Sequence, residues 1–239
     1  MTWSIVAREQ DGAFGVAVAT KFYAVGALCP HAAAATGAVA TQAMVNPMLG
    51  PRALTLLGQG MAAADALRIL IQGDDGRDFR QLHMVDRAGR VAAHTGSGCV
   101  DWAGSLAGEG FSVAGNMLAG PQVLEATAAA FRAAAGRPLA ERLLLAMEAG
   151  DAAGGDKRGR QSAALKVYTT EPYPYLDLRV DDHALPLPEL RRIYEKGLTD
   201  FDPYRSLLPT VARPSGESDA AVIAAIRARR AAETAAKPG

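Results

Sequence analysis

The sequence predicts an α+β fold, a four-layer αββα sandwich in which pairs of helices cover two antiparallel sheets. Three observations support this prediction. The chain opens with two β-rich segments around a turn at residues 10–12, helix-forming segments come in pairs, and later β segments again form hairpins. A doubly wound parallel sheet alternates single strands with single helices, so this order favours antiparallel sheets.

The strands are predicted from short β-rich runs that turn residues separate. Gln10-Asp11-Gly12 turns the first hairpin, and Gly89 supplies the positive φ that the second hairpin turn needs. The predicted strands are residues 2–8, 13–20, 37–42, 80–86 and 90–94, a glycine-rich pair within 96–118, and residues 162–169 and 176–180.

The helices are predicted from runs of good helix formers that proline and glycine delimit. Gly60 and Gly73 bracket the second helix, and Gly136 and Gly150 close the third and fourth. The predicted helices are residues 51–57, 62–72, 121–135, 138–149, 188–196 and 220–236.

The composition predicts one domain over residues 1–200, followed by a linker and a short helix in residues 201–239. Pro203, Pro209 and Pro214 indicate the linker, and Ser218-Asp219 can cap the Ala/Arg-rich helix after it. We interpret this helix as a surface or docking helix.

Charge and cysteine content exclude several classes of protein. The 239 residues hold 25 basic and 25 acidic side chains, so the chain lacks the basic surplus of proteins that bind nucleic acid or anionic membranes. Neither a secretory signal nor an apolar run of membrane-spanning length occurs. Cys29 and Cys99 are too few for a disulfide framework. We expect a cytoplasmic protein without nucleic-acid or membrane partners.

Common catalytic motifs are missing from the sequence. The four histidines lack metal-ligand spacing, although His83 and His94 lie on adjacent predicted strands. There is no G-x-S-x-G nucleophile motif, and the glycine-rich segment 154–160 lacks the Ser or Thr that follows the lysine of a phosphate-binding loop. We therefore expect neither a metal nor another cofactor.

Thr2 is the strongest candidate nucleophile. Removal of Met1 would expose its α-amine, which titrates at about 7.7–8.0 and can accept the proton of its own hydroxyl without a histidine. Many proteins begin Met-Thr, so the context matters: a strand begins at Thr2, and the hairpin returns Lys21 towards it. The Lys21 ammonium would lower the pKa of the attacking group, or it is a solvated lysine at a strand end.

Several segments are similar to one family, the most specific of them residues 154–163. With residues 1–7, 15–22, 37–42, 50–52 and 115–120, this segment resembles the family called domain of unknown function 1028, classed with the N-terminal-nucleophile hydrolases. The resemblance covers about residues 2–196. It implies the αββα sandwich of the proteasome β-subunits and hydrolysis of an amide bond.

A looser likeness to proteasome β-subunits implies roles for Asp156 and Ser162. In those subunits an acidic residue precedes a serine at the start of a late strand, and the pair holds the N-terminal threonine. Their second strand ends in an acidic and then a basic residue. This chain has Thr20 and Lys21 there, so it departs from the pattern at the acidic position.

The resulting hypothesis is a hydrolase that cleaves an amide bond of a small polar or carboxylated molecule. Lys21 and Asp156 would orient the Thr2 groups, Ser162 would bond the amine, and the Asn116 amide or a nearby N–H would stabilise the oxyanion. Asn116 could instead satisfy a backbone group at a strand end.

Gln42, Arg158 and Arg160 are the predicted substrate-binding residues. The alternative is that the two arginines belong to an exposed charged loop. We expect a homo-oligomer. The rival function is a non-catalytic small-molecule binding or assembly protein on the same sandwich.

Overall fold

The computed structural model describes residues 2–235, and within this range it contains ten strands and seven α-helices. The strands are β1 Thr2–Arg8, β2 Phe14–Thr20, β3 Pro30–Ala33, β4 Gly37–Ala43, β5 Arg80–Asp86, β6 Val91–Thr95, β7 Gly104–Gly108, β8 Phe111–Asn116, β9 Ser162–Tyr168 and β10 Leu176–Val180. The helices are α1 Leu49–Gly58, α2 Ala63–Gln72, α3 Gln122–Ala133, α4 Leu139–Ala152, α5 Pro186–Asp200, α6 Asp202–Arg205 and α7 Ala220–Ala235.

The larger sheet has six strands in the order β10-β9-β2-β1-β8-β7, and every neighbouring pair is antiparallel. Thr2 pairs with Asn116 of β8, and Thr20 pairs with Ser162 of β9. Because β1 and β9 begin where β2 and β8 end, these four polar residues lie at one end of the sheet. That end carries the candidate site.

The smaller sheet has four antiparallel strands in the order β3-β4-β5-β6. Helices α1 and α2 cover one of its faces through a buried apolar cluster that includes Leu49, Leu57, Leu70, Leu82 and Met84. Burial of each of these side chains contributes about 1.5–3 kcal/mol of hydrophobic stabilisation.

Apolar residues of the two sheets meet in a second buried cluster. Val6, Val16 and Val18 of the larger sheet belong to the same cluster as Ala40 and Val85 of the smaller sheet. Residues 2–7 of β1 are all buried, although successive side chains of a strand point to opposite faces. Both faces of this strand are therefore covered.

Most predicted elements are confirmed, three of them at their predicted bounds: β1, β5 and β10. The short strand β3 was not predicted, because Pro-His-Ala-Ala has little β propensity. The helix α6 was also not predicted. Of the predicted final helix, Ala236 lies outside the described residues.

Gly150 was expected to close the fourth helix, and this prediction is wrong because α4 continues to Ala152. A Cβ at Gly150 would overlap the Thr127 hydroxyl and the Trp3 indole nitrogen. The glycine therefore allows close packing of α4 and does not end the helix.

The chain divides into two compact units between Leu190 and Arg191, within α5. The candidate site lies in the first unit. Across residues 2–235, none of the helices has the combination of length and apolar character needed to span a bilayer.

Candidate functional site

A cavity of about 320 Å³ opens at the end of the larger sheet where β1 begins. This volume is at the lower end of the range for small-molecule sites. Its wall combines apolar side chains with a few polar and cationic ones. The lining residues are Thr2, Phe22, Val25, Leu28, Cys29, Thr41, Gln42, Ala43, Met44, Val45, Arg80 and Arg158.

Thr2 is the candidate nucleophile and one of the residues that line this cavity. The residue is 7% exposed, and its hydroxyl lies 3.2 Å from the hydroxyl of Thr20. Its carbonyl accepts a hydrogen bond of 3.4 Å from Nε2 of Gln42. Both neighbours are themselves buried. The position of Thr2 is thus set by β-sheet pairing and by two buried side chains.

Gln42 and Gln81 form a buried amide pair between the two sheets. Gln42 Nε2 donates to Gln81 Oε1 at 2.7 Å and to the Ala114 carbonyl of β8 at 3.2 Å. Asn116 Nδ2 donates to the same Gln81 oxygen at 3.0 Å. Gln81 Nε2 in turn donates to the Gly115 carbonyl at 2.8 Å. Gln42 is therefore a structural link as well as a lining residue.

Ser4 and His83 extend this polar network away from the cavity. The Ser4 hydroxyl donates to Gln42 Oε1 at 2.6 Å and lies 2.8 Å from His83 Nε2. Because the Ser4 proton goes to Gln42, His83 Nε2 is the donor in the second bond. Nδ1 of His83 then accepts from Ser112 at 3.1 Å. Burial lowers the pKa of His83 to about 3, so the imidazole is neutral in the folded protein.

His83 predicts a pH dependence of stability. The unfolded chain protonates this histidine below about pH 6.5, whereas the folded protein resists protonation until about pH 3. The unfolded state therefore binds more protons between these values, and the free energy of unfolding falls as pH falls through this window. We expect the His83→Gln variant to lose up to about 1.4 kcal/mol per pH unit of that slope.

Urea unfolding at a series of pH values measures the slope. The exposed His183 provides a matched control, since His183→Gln also removes an imidazole. Equal slopes in wild type and His83→Gln would contradict the prediction.

His94, which was expected to be able to approach His83, has a different environment. It pairs with Leu82 in the register, and its Nε2 lies 2.9 Å from the Arg77 carbonyl. His83 pairs with Ala93 and contacts the serines named above.

Asp156 and Ser162 both hold the segment that follows β2. Asp156 accepts the backbone N–H of Lys21 at 2.7 Å. The Ser162 hydroxyl donates to the Phe22 carbonyl at 2.6 Å and accepts the Val25 N–H at 3.2 Å. Ser162 was predicted to bond the Thr2 amine and Asp156 to orient the Thr2 groups, so the observed partners differ from both predictions. Because Phe22 and Val25 line the cavity, both residues shape its wall.

Lys21 meets Asp156 through its backbone, while the lysine side chain is exposed. The prediction placed the ammonium beside Thr2, and Lys21 is not one of the lining residues. Thr20 is the position where the chain departs from the proteasome pattern described above. A hydroxyl takes the position of the expected carboxylate and lies within hydrogen-bond distance of the nucleophile.

The two predicted arginines have different surroundings. Arg158 lines the cavity and pairs with Asp156 at 3.2 Å. Arg160 pairs with Asp151, with its Nε 2.7 Å from one carboxylate oxygen, and this hydrogen bond raises the arginine pKa. Arg160 is not among the lining residues. Arg158, Gln42 and Thr2 therefore line the cavity, and Arg160 does not.

Arg80 is a cavity residue that the sequence interpretation missed. It is the first residue of β5, where its Nε donates to Asp74 at 2.9 Å and its Nη1 donates to the Met44 carbonyl at 2.6 Å. The hydrogen bond from Arg80 lowers the pKa of Asp74. An arginine at the start of a strand carries no sequence signal for a site. Gln81 was also missed, although a glutamine inside an apolar strand is such a signal.

The backbone is strained at three positions in or next to the site. Ala43, a lining residue, has φ 68°; Ala24, directly before the lining residue Val25, has φ 49°; and Met117, directly after Asn116, has φ 55°. A left-handed conformation costs a non-glycine residue about 1–2 kcal/mol, and such strain is concentrated at functional sites.

Cys29 lines the cavity but is a poor candidate nucleophile. Burial raises its thiol pKa, so the reactive thiolate is suppressed. Within residues 2–235, no three His, Cys, Asp or Glu side chains are grouped so that they could hold a metal ion.

Comparisons with solved structures find a close relative. The crystal structure of protein SPO2555 from Silicibacter pomeroyi, titled with the family model DUF1028, is 33% identical to this chain with a TM-score of 0.85. The match covers 91% of this chain and 96% of that one. Anbu (ancestral beta-subunit) from Yersinia bercovieri is 12% identical over 87% of this chain and 99% of its own, with a TM-score of 0.38.

A search of curated proteins finds no match to the chain. The family model described as "Family of unknown function (DUF1028)" matches residues 2–190, which are most of the chain and include every residue of the cavity wall. This match confirms the resemblance to the family found in the sequence. The chain belongs to the DUF1028 family.

Proposed function

We propose that this protein is an N-terminal-nucleophile hydrolase that cleaves an amide bond of a small polar substrate. Thr2 is the nucleophile once removal of Met1 has exposed its amine. The observation that carries the proposal is the position of Thr2, which begins the strand β1 and lines a cavity of about 320 Å³.

The chemistry needs only the two groups of Thr2 and a water molecule. The hydroxyl oxygen attacks the substrate carbonyl carbon while the amine accepts the hydroxyl proton. The amine then returns the proton to the substrate nitrogen as the C–N bond breaks, leaving an ester on Thr2. Water attacks this ester with the amine again as base, which releases the acid and restores the hydroxyl.

Neighbouring groups support this mechanism by position. The Thr20 hydroxyl, 3.2 Å from that of Thr2, orients the attacking oxygen. The Asn116 amide is our proposed oxyanion donor: it lies opposite Thr2 in the register, and its Nδ2 carries a second hydrogen besides the one donated to Gln81. Asp156 and Ser162 act indirectly, through the cavity segment that they hold.

The proposal includes the four-layer αββα sandwich as the architecture. Its support is the apolar cluster shared by the two antiparallel sheets, together with α1 and α2 on the smaller sheet. On the larger sheet, a Cβ at Gly15 of β2 would meet Leu143 and Leu139 of α4. We further propose a cytoplasmic homo-oligomer, and measurement of its native mass tests the assembly.

Blocking the amine is the direct test of the proposal. Protein that starts at Thr2 is produced by cleaving an N-terminal tag, its start is verified by intact mass, and it is screened against amides, ureides and lactams. We expect protein that retains Met1 to turn over the best substrate at least about 1,000-fold more slowly, because the base is then part of a peptide bond. Equal rates for the two forms would overturn the proposed mechanism.

A further inference from the structure

We propose that Arg80 and Arg158 form a carboxylate-binding subsite, so that the substrate class is a small amide that also bears a carboxylate. This inference rests on the proposed function to the extent that the Thr2 cavity is taken as the substrate site. It goes further by naming the charge of the substrate and the residues that select it.

Arg80 is held rigidly at the cavity wall. Its Nε is bonded to Asp74, its Nη1 is bonded to the Met44 carbonyl, and its side chain is 19% exposed. A guanidinium carries five N–H donors in a planar fork, so these two bonds leave donors for another acceptor. Little side-chain entropy remains to be lost when a ligand binds here.

Arg158 contributes the second guanidinium. Asp156 accepts both the backbone N–H of Arg158 at 2.9 Å and its Nη2 at 3.2 Å. The same carboxylate is 0% exposed, whereas the Arg158 side chain is 39% exposed. The pair therefore presents its cation to the cavity and keeps its anion in the protein.

The charges on the cavity wall are of one sign. Arg80 and Arg158 line it, and its lining residues include no Asp or Glu; the paired carboxylates of Asp74 and Asp156 are 9% and 0% exposed. Apolar neighbours such as Phe22, Val25 and Leu28 reduce the dielectric screening. A carboxylate is the acceptor that matches a guanidinium in charge and geometry.

The size of the cavity puts both functions within reach of one molecule. Thr2, Arg80 and Arg158 all line the same cavity of about 320 Å³, a volume at the lower end of the range for small-molecule sites. A substrate that carries its amide and its carboxylate a few bonds apart can therefore contact Thr2 and the arginines together.

Binding to the Thr2→Ala variant tests the subsite without any catalysis. The probes are 4-acetamidobutanoate and its uncharged analogue 4-acetamidobutanamide, titrated by calorimetry at low salt. We expect the carboxylate probe to bind at least about 10-fold more tightly than the carboxamide, a preference that added salt weakens. Equal affinities for the two probes would overturn the proposal.

Single substitutions in the Thr2→Ala protein show which residues cause the preference for the carboxylate probe. Arg158→Gln and Arg80→Gln should each reduce it by about 10-fold, and Arg80→Lys should retain part of it. Arg179 gives the matched control, because it pairs with Asp181 two residues away and is similarly exposed at 37%. A preference that survives Arg158→Gln, or that Arg179→Gln reduces equally, contradicts the subsite.

Circular dichroism separates binding effects from loss of folding. If Arg80→Gln unfolds because Asp74 and Met44 lose their partner, Arg158→Gln decides the question. The proposed hydrolysis is tested by a separate measurement of turnover. It fails if the wild-type and Thr2→Ala proteins turn over amides at equal rates. The preference for the carboxylate probe is measured by binding without catalysis, so it does not depend on that result.

Discussion

Replacement of Thr2 by alanine is expected to lower kcat by more than about 1,000-fold, because removing the nucleophile removes the covalent pathway. Thr2→Ser retains both the hydroxyl and the amine, so it should keep measurable activity. The assay uses protein that starts at residue 2, verified by intact mass, with the best substrate from the amide screen.

The threonine of α1 that faces solvent, Thr55, is the matched control, and Thr55→Ala should turn over substrate like the wild type. Thermal unfolding of each variant verifies that the fold is intact. Wild-type activity in Thr2→Ala would exclude the proposed chemistry. If neither the wild type nor any variant turns over an amide while the cavity still binds small molecules, the rival function of a non-catalytic binding protein is favoured.

Gln81→Leu is expected to lower the free energy of unfolding by more than about 3 kcal/mol. The substitution removes the oxygen that accepts from the buried Asn116 amide, and it also removes the shortest of the three hydrogen bonds that Gln42 Nε2 donates. It also removes the donor that the Gly115 and Gly104 carbonyls accept. Each buried polar group that loses its partner costs about 1–3 kcal/mol. The site should lose activity as well, because Gln42 and Asn116 adjoin Thr2.

Chemical denaturation measures this loss, with Gln72→Leu as the matched control on an exposed position of α2. The control should change stability by no more than about 0.5 kcal/mol. A Gln81→Leu protein as stable as the wild type would show that the buried amide network contributes little to the fold.

The opening hairpin shows how much of the local geometry the sequence pattern predicts. Its turn at residues 10–12 and its two β-rich runs were sufficient to predict that β2 ends beside the start of β1. The register confirms that geometry, with Trp3 opposite Ala19. The sequence shows Thr20 only as a departure from the proteasome pattern, whereas the structure places its hydroxyl 3.2 Å from that of Thr2.

Residues from distant parts of the chain were harder to assign. Asp156 and Ser162 were expected to orient and bond the groups of Thr2, whereas their partners in the structure are the backbone of Lys21, Phe22 and Val25. The hydrogen-bond partners of these two residues depend on the direction of their side chains, which a sequence pattern does not encode. Arg80 entered the cavity because Asp74 and the Met44 carbonyl hold it there, and these contacts join three separate loops and strands.

Local sequence patterns were sufficient to predict the alternation of hairpins and helix pairs and most element positions, and residues 1–7 and 154–163 indicated the family. These properties follow from local propensity and hydrophobic patterning, which neighbouring residues are sufficient to specify. The sequence patterns did not indicate which residues line the cavity, that Arg80 is one of them while Arg160 is not, or that Gln81 and His83 lie between the sheets. Those facts depend on strand register and long-range packing, where the energy of one buried contact outweighs any local preference.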